Sequence, residues 1–359
     1  MDQNHFFKDL KVLELANILA GPSVGMFFAE LGADVTKIEN PKTGGDPTRQ
    51  WKLESERDKP VSAYYASVNW GKKVKFVDFE SEEGIQEIYE LVKNSDIIIV
   101  NFKKGDDLKF KLDYETLKNI NPKIIYAHLD GFGAFDDKPA FDVVLQAESG
   151  FMSMNGNSEN ETLKMPVALI DVLAAHQLKE AILIAIINLF KTGKGALVKT
   201  SLYESALSSL VNQASNYLME RKIAKPQGSL HPNIAPYGET FYSSDNQKIV
   251  LAIGTEKQFE KLCKELGLEY LLHNERFNTN TQRVKNRTEL EKILHNKIKN
   301  IDFDSLSNKF NGKKIPFGKI KPLNEVLNQK YIEPLVLEEI QENCMTKRLK
   351  SVSFKIYFS

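Results

Sequence analysis

Three groups of residues in this sequence have types and spacings that could do chemistry. The first is Gly21, Gly25 and Glu39, with the acid 18 residues after Gly21. An acid at about that distance from a glycine turn mimics the ribose-binding residue of dinucleotide folds. The glycines, however, read Gly-x-x-x-Gly and not Gly-x-Gly-x-x-Gly. A nicotinamide or flavin enzyme is therefore disfavoured, and Gly21 reads as a point of close backbone approach. The second group is basic. Lys72, Lys73, Lys103, Lys104 and Lys109 fall near predicted strand boundaries. Such a rim suits an anionic ligand, although surface lysines are most often simply solvated. The third group is Asp142 and Asp171. An aspartate opening a helix ordinarily caps it. Asp142, in Ala140-Phe141-Asp142-Val143-Val144, reads equally well as a backbone-bonding aspartate. Spacing alone makes neither one catalytic.

Other chemistries lack their residues. The six histidines, His5, His128, His176, His231, His273 and His295, lie far apart, and none has a partner four positions on. No metal centre is expected. A phosphate loop ending in Gly-Lys-Ser/Thr is missing. Cys263 and Cys344 are too few for a disulfide framework, which implies a reducing, cytoplasmic compartment.

The elements that must position these residues alternate. Lys11–Leu15 reads as a strand. A helix follows with Val24, Phe27, Phe28 and Leu31 at helical spacing and Gly32 as its stop. Strands are predicted over Ala33–Ile38, Val74–Phe79, Asp96–Val100 and Ile124–His128, with a helix over Ser81–Lys93. This βαβ rhythm implies a mostly parallel, doubly wound sheet. Ligands of such sheets lie beyond the carboxyl ends of the strands. A long helix opens at Asp171, with Leu173, Ala174, Leu178, Ala181, Ile182, Ala185 and Leu189 on one stripe, and Gly193 and Gly195 end it. Glu220–Pro232 reads as a linker. Beyond it come a hairpin of Tyr237–Tyr242 with Lys248–Ile253, helices at Gln258–Leu266, Thr288–Ile298 and Leu323–Leu327, and an alternating edge strand in Lys347–Ser359.

Size and charge fit that plan. The 359 residues suffice for about two domains. Lys plus Arg number 48 and Asp plus Glu 48, so the net charge is zero, which argues against a general nucleic-acid binder. The most apolar stretch, Ala181–Leu189, contains Asn188 and falls far short of the roughly 20 residues of a membrane span. The start, MDQNHFFKDL, lacks the basic and apolar regions of a signal peptide.

Several separated motifs, in order, resemble the family III CoA transferases, which also include the α-methylacyl-CoA racemases. They are LANILAGPSVGMFFAELGADVTKIE from Leu15, Asn69-Trp70-Gly71-Lys72-Lys73, Asn101-Phe102 and Phe141-Asp142-Val143-Val144-Leu145-Gln146-Ala147. Asp171 with its helix, Thr192-Gly193-Lys194-Gly195, His231-Pro232-Asn233-Ile234-Ala235-Pro236-Tyr237 and Ile315-Pro316-Phe317-Gly318 continue the series.

The resemblance implies an α/β fold with a Rossmann-like large domain, a smaller α/β domain and an interlocked homodimer. Residues 1–220 would form the large domain, to which 330–359 return. Residues 221–236 and 315–329 would be linkers, and 237–314 the small domain. The substrates would be an acyl-CoA and a free carboxylic acid, with no cofactor beyond the CoA thioester itself. By motif match Asp171 would be the nucleophile, passing through an acyl-aspartyl anhydride and an aspartyl-CoA thioester. Lys72, Asn101, Phe102 and Lys109 would contact CoA, with Gly21 at the first strand end. Asn40 stands where some relatives carry an arginine near the adenine, which would leave a phosphate to Lys42. Phe141 stands where the racemases carry a proton-transferring histidine. Phenylalanine cannot move a proton, so a racemase is disfavoured, and Phe141 would instead pack against the acyl group or the thiol arm. The longest glycine run is Gly44-Gly45, and His231–Tyr237 stands in place of the glycine loop of formyl-CoA:oxalate transferases. Formyl and oxalate are therefore disfavoured. A CoA-binding protein without turnover is the remaining alternative.

Overall fold

The structure, a computed structural model, describes residues 5–157 and 160–357. The first four residues of the N-terminal segment and the last two of the expected terminal strand lie outside them. The chain divides into two compact units: 1–155, 162–225 and 333–359 form the first, and 156–161 with 226–332 the second.

The first unit is built on a six-stranded sheet. Its strands are β1 (Lys11–Leu15), β2 (Asp34–Glu39), β3 (Lys72–Phe76), β4 (Ile97–Val100), β5 (Ile125–Asp130) and β6 (Ala196–Ser201). Their order is β3-β2-β1-β4-β5-β6 and every pairing is parallel. The order reverses between β1 and β4, which opens a crevice at their carboxyl ends. Helices α1 (Ala20–Glu30), α2 (Glu82–Lys93), α3 (Tyr114–Ile120), α4 (Asp142–Glu148) and α5 (Leu169–Thr192) surround the sheet.

The run Ile97-Ile98-Ile99-Val100 shows why a central strand is apolar throughout. Ile97 and Ile99 enter the core shared with α1 and α5, while Ile98 and Val100 enter the core under α2 and α3. All four are fully buried, at about 1.5–3 kcal/mol each. Gly21 lets α1 press on β1: a Cβ there would lie 2.4 Å from Ala16 Cβ.

Helix α5 begins at Leu169, two residues before the expected start. Asp171 is thus its third residue and does not cap it; the cap position is Ala168, which has no side-chain bond to give. Ile170, Ala174, Leu178, Ile182, Ala185 and Ile186 form the buried stripe, and Gly193 ends the helix at φ 69°. Ile184, Ile187 and Phe190 stand exposed on another side.

Three local expectations need correction. Strand β3 begins at Lys72, earlier than Val74, and Lys72, its first residue, is buried and not part of a solvated rim. Strand β6 was not anticipated; its alternating half-buried pattern follows directly on Gly195, without a separating turn signal. Of the strand expected in Lys347–Ser359, only residues 347–349 are strand, as the end of Cys344–Leu349, which pairs with Val336–Gln341 as a hairpin. Residues 350–357 are not strand. The hairpin is tied to the first unit by Arg49–Glu342 (2.5 Å) and Arg348–Glu30 (2.6 Å).

The second unit carries an antiparallel sheet of β7 (Tyr237–Tyr242), β8 (Lys248–Ala252) and β9 (Phe317–Lys319). Helices α6 (Glu256–Leu266), α7 (Arg287–Ile298) and α8 (Phe303–Lys313) close its core over Phe241, Leu251, Phe259, Leu290 and Phe310. Its 231–237 loop is pinned by arginines. Arg283 Nε donates to the Ala235 carbonyl (2.9 Å), and Arg287 Nη2 donates to those of His231 (2.5 Å) and Ile234 (2.6 Å).

Candidate active site

Asp171 is buried in the first turn of α5, only 8 % exposed. No described residue donates a hydrogen bond to its carboxylate. Burial, then the neighbouring Asp142 charge, pushes its carboxyl up to about 7.

Asp142 opens α4. Its Oδ1 accepts the Ile170 amide at 2.8 Å, and its Oδ2 accepts Gln146 Nε2 at 2.6 Å. It is a backbone-bonding aspartate, but across 28 residues and not locally. It fills the capping role that Ala168 cannot. Gln146 is buried and also accepts the Met165 amide at 2.8 Å. Tyr64 joins the same electrostatic neighbourhood. Burial, with the charges of Asp171, Asp142 and Asp46, holds its phenol up at about 12. Its ring meets Trp51 edge-on at 4.9 Å. Nothing in Ser62-Ala63-Tyr64-Tyr65 marked Tyr64 in the sequence. Gln146 lay in a quoted motif without a role.

The other singled-out residues divide. Asn101 clamps the turn after β1: it accepts the Asn17 amide (3.0 Å) and donates to the Asn17 carbonyl (2.9 Å). Phe102 is half-buried in an aromatic cluster with Phe79 and Phe110. Lys109 is exposed, with its ammonium 4.8 Å from the Phe110 ring centre. A groove of about 870 Å³ is lined by Phe79, Ser81, Tyr89, Lys109, Phe110 and Lys111, on segments that follow β3 and β4. Phe141 precedes α4 and is 50 % exposed. Lys42 is exposed and paired with Asp78 at 2.9 Å.

Lys72 is the departure. Its ammonium is buried and engaged three ways, by Glu14 (2.8 Å), the Pro22 carbonyl (2.8 Å) and Asn69 Oδ1 (2.9 Å). All three of its donors are used. Burial pushes it down to about 8. Lys37 completes this buried network, with Glu14 at 3.1 Å and Asp46 at 3.0 Å. Glu39 is no ribose ligand either: Arg49 (2.6 Å), Tyr65 (2.7 Å) and the Asp46 amide (3.0 Å) occupy its carboxylate. Among the described residues, no cluster of three His, Cys, Asp or Glu side chains could hold a metal, and no helix is long and apolar enough to cross a membrane.

The chain is 38% identical over 288 residues to a succinate–glutarate CoA-transferase of Agrobacterium fabrum, covering 78% of this chain and 71% of that protein. It is 35% identical over 284 residues to the human succinyl-CoA:glutarate CoA-transferase, covering 78% and 64%. The crystal structure of a CAIB/BAIF family protein from Brucella suis superposes with a TM-score of 0.84 at 36% identity, over 98% of this chain and 93% of that one. The model of CoA-transferase family III matches residues 7–357. The chain belongs to CoA-transferase family III.

Proposed function

We propose that the protein transfers CoA between an acyl-CoA and a free dicarboxylic acid, with Asp171 as nucleophile. The observation that carries this is a buried carboxyl in the first turn of α5, held by no hydrogen bond from a described residue and pushed up to about 7. The dicarboxylate class follows the names of similar proteins, which act on succinate, glutarate and mesaconate.

The Asp171 carboxylate attacks the thioester carbonyl, the C–S bond breaks, and CoA leaves as thiolate with an acyl-aspartyl anhydride behind it. The thiolate attacks the aspartyl carbonyl, giving aspartyl-CoA thioester and the first acid as carboxylate. The acceptor carboxylate then attacks that thioester, and the two steps run in reverse. Covalent capture divides one difficult exchange into easier ones.

The raised carboxyl suits this exchange. A thiolate is a poorer leaving group than an ordinary carboxylate, so the first attack runs uphill. A more basic carboxylate narrows that gap. Burial also keeps water from the hydrolysable anhydride. The groove with Phe79, Phe110 and Lys109 has the aromatic faces and the cation that the nucleotide end of CoA requires. Asn101 and Phe102 would line the approach to it. The exposed apolar side of α5, Ile184, Ile187 and Phe190, supports a homodimer of interlocked chains, working in the cytoplasm. Phe141 cannot move a proton, which disfavours a racemase.

The test is to incubate the protein with succinyl-CoA or glutaryl-CoA, trap with hydroxylamine or borohydride, and map the modified peptide. Modification at Asp171, lost in Asp171→Ala together with exchange, is expected. Full exchange by Asp171→Ala would overturn the mechanism.

A further inference from the structure

We infer that Gln146 is a positioning residue for Asp171: its side-chain amide joins the Asp142 carboxylate to the Met165 backbone and so fixes the first turn of α5. The inference rests on the reading of Asp171 as nucleophile.

Gln146 is 1% exposed and uses both ends of its amide. Nε2 donates to Asp142 Oδ2 at 2.6 Å, and Oε1 accepts the Met165 amide at 2.8 Å. Asp142 spends its other oxygen on the Ile170 amide at 2.8 Å. One turn of α4 therefore holds both ends of the segment 165–170, which delivers Asp171. The helix has no side-chain cap of its own, so this borrowed cap decides how its first turn is placed. A displacement of about 1 Å at a reacting group can cost about 100-fold in rate.

Asp142, from α4, is the charge that acts on Asp171. The Tyr64 phenol, from the 63–66 turn, feels both aspartates and Asp46.

Two variants and one control test this. Gln146→Met keeps the volume and removes both hydrogen bonds. It is expected to lower kcat about 100-fold with KM little changed, and to speed hydrogen exchange at the Ile170 amide. Asp142→Asn keeps an oxygen for that amide but loses the charge. It should move the acid limb of the rate profile to lower pH, because the Asp142 charge raises Asp171, while Ile170 stays protected. Exchange is read on unliganded protein, so it reports whether or not a variant turns over. Wild-type protein trapped at Asp171, with Gln146→Met matching it in kcat and Ile170 exchange, would overturn this inference alone. Wild-type protein with no Asp171 adduct would overturn the nucleophile reading and this inference together.

Discussion

Asp142 caps the helix that carries Asp171, and its charge helps to hold the Asp171 carboxyl up at about 7. One carboxylate thus fixes the placement of the other and adds to the basicity that burial gives it. Attack requires the ionised form, so the rate of CoA transfer should rise with pH through an apparent value near 7. A profile of kcat/KM from pH 5 to pH 9 checks this. A flat profile across pH 6–8 would be inconsistent with Asp171 as attacking group.

The same burial has a cost in stability. A carboxyl raised on folding stabilises the folded state below its unfolded value, and that contribution is lost as pH rises through the folded value. For Asp171 the window runs from 3.8 to about 7. Asp171→Asn should therefore be inactive yet more stable at pH 8, by at most on the order of 4 kcal/mol. Below pH 4 the two proteins should melt alike. Thermal melts at both pH values decide it.

Two lysines should part company. Lys109→Glu, at the groove, should raise the KM for acyl-CoA about tenfold, with kcat and stability little changed. Lys72→Met removes one cation from the buried set of Glu14, Lys37 and Asp46. It should cost about 3 kcal/mol in urea unfolding, because a buried charge loses its partner. Unchanged stability in Lys72→Met would remove the structural role assigned to that network.

Gly21→Ala places a Cβ 2.4 Å from Ala16 Cβ, at the contact between α1 and β1. Overpacking of that kind costs about 1–3 kcal/mol, against a gain of up to about 1 kcal/mol in helix propensity. A net loss of stability by denaturant melt is expected. A stabilised variant would mean that the helix can shift without penalty.

The sequence by itself determined the parallel α/β sheet, because strand and helix periods alternate and the Ile97–Val100 run can only be covered on both faces. Its ordered motifs also determined the family, and with it the choice of Asp171. What it could not determine was the state of the charged residues. Lys72 and Lys109 look alike in the chain, yet one is enclosed by Glu14, Pro22 and Asn69 while the other lines an open groove. Glu39 has the position of a ribose ligand and is occupied by Arg49 and Tyr65. Asp171 reads as a helix opener in the chain, yet the helix starts at Leu169, and only folding brings Asp142 across 28 residues to cap it. Solvation and charge–charge coupling depend on which groups meet in space. Residue type and local spacing carry the backbone pattern; the protonation and reach of each side chain belong to the tertiary structure.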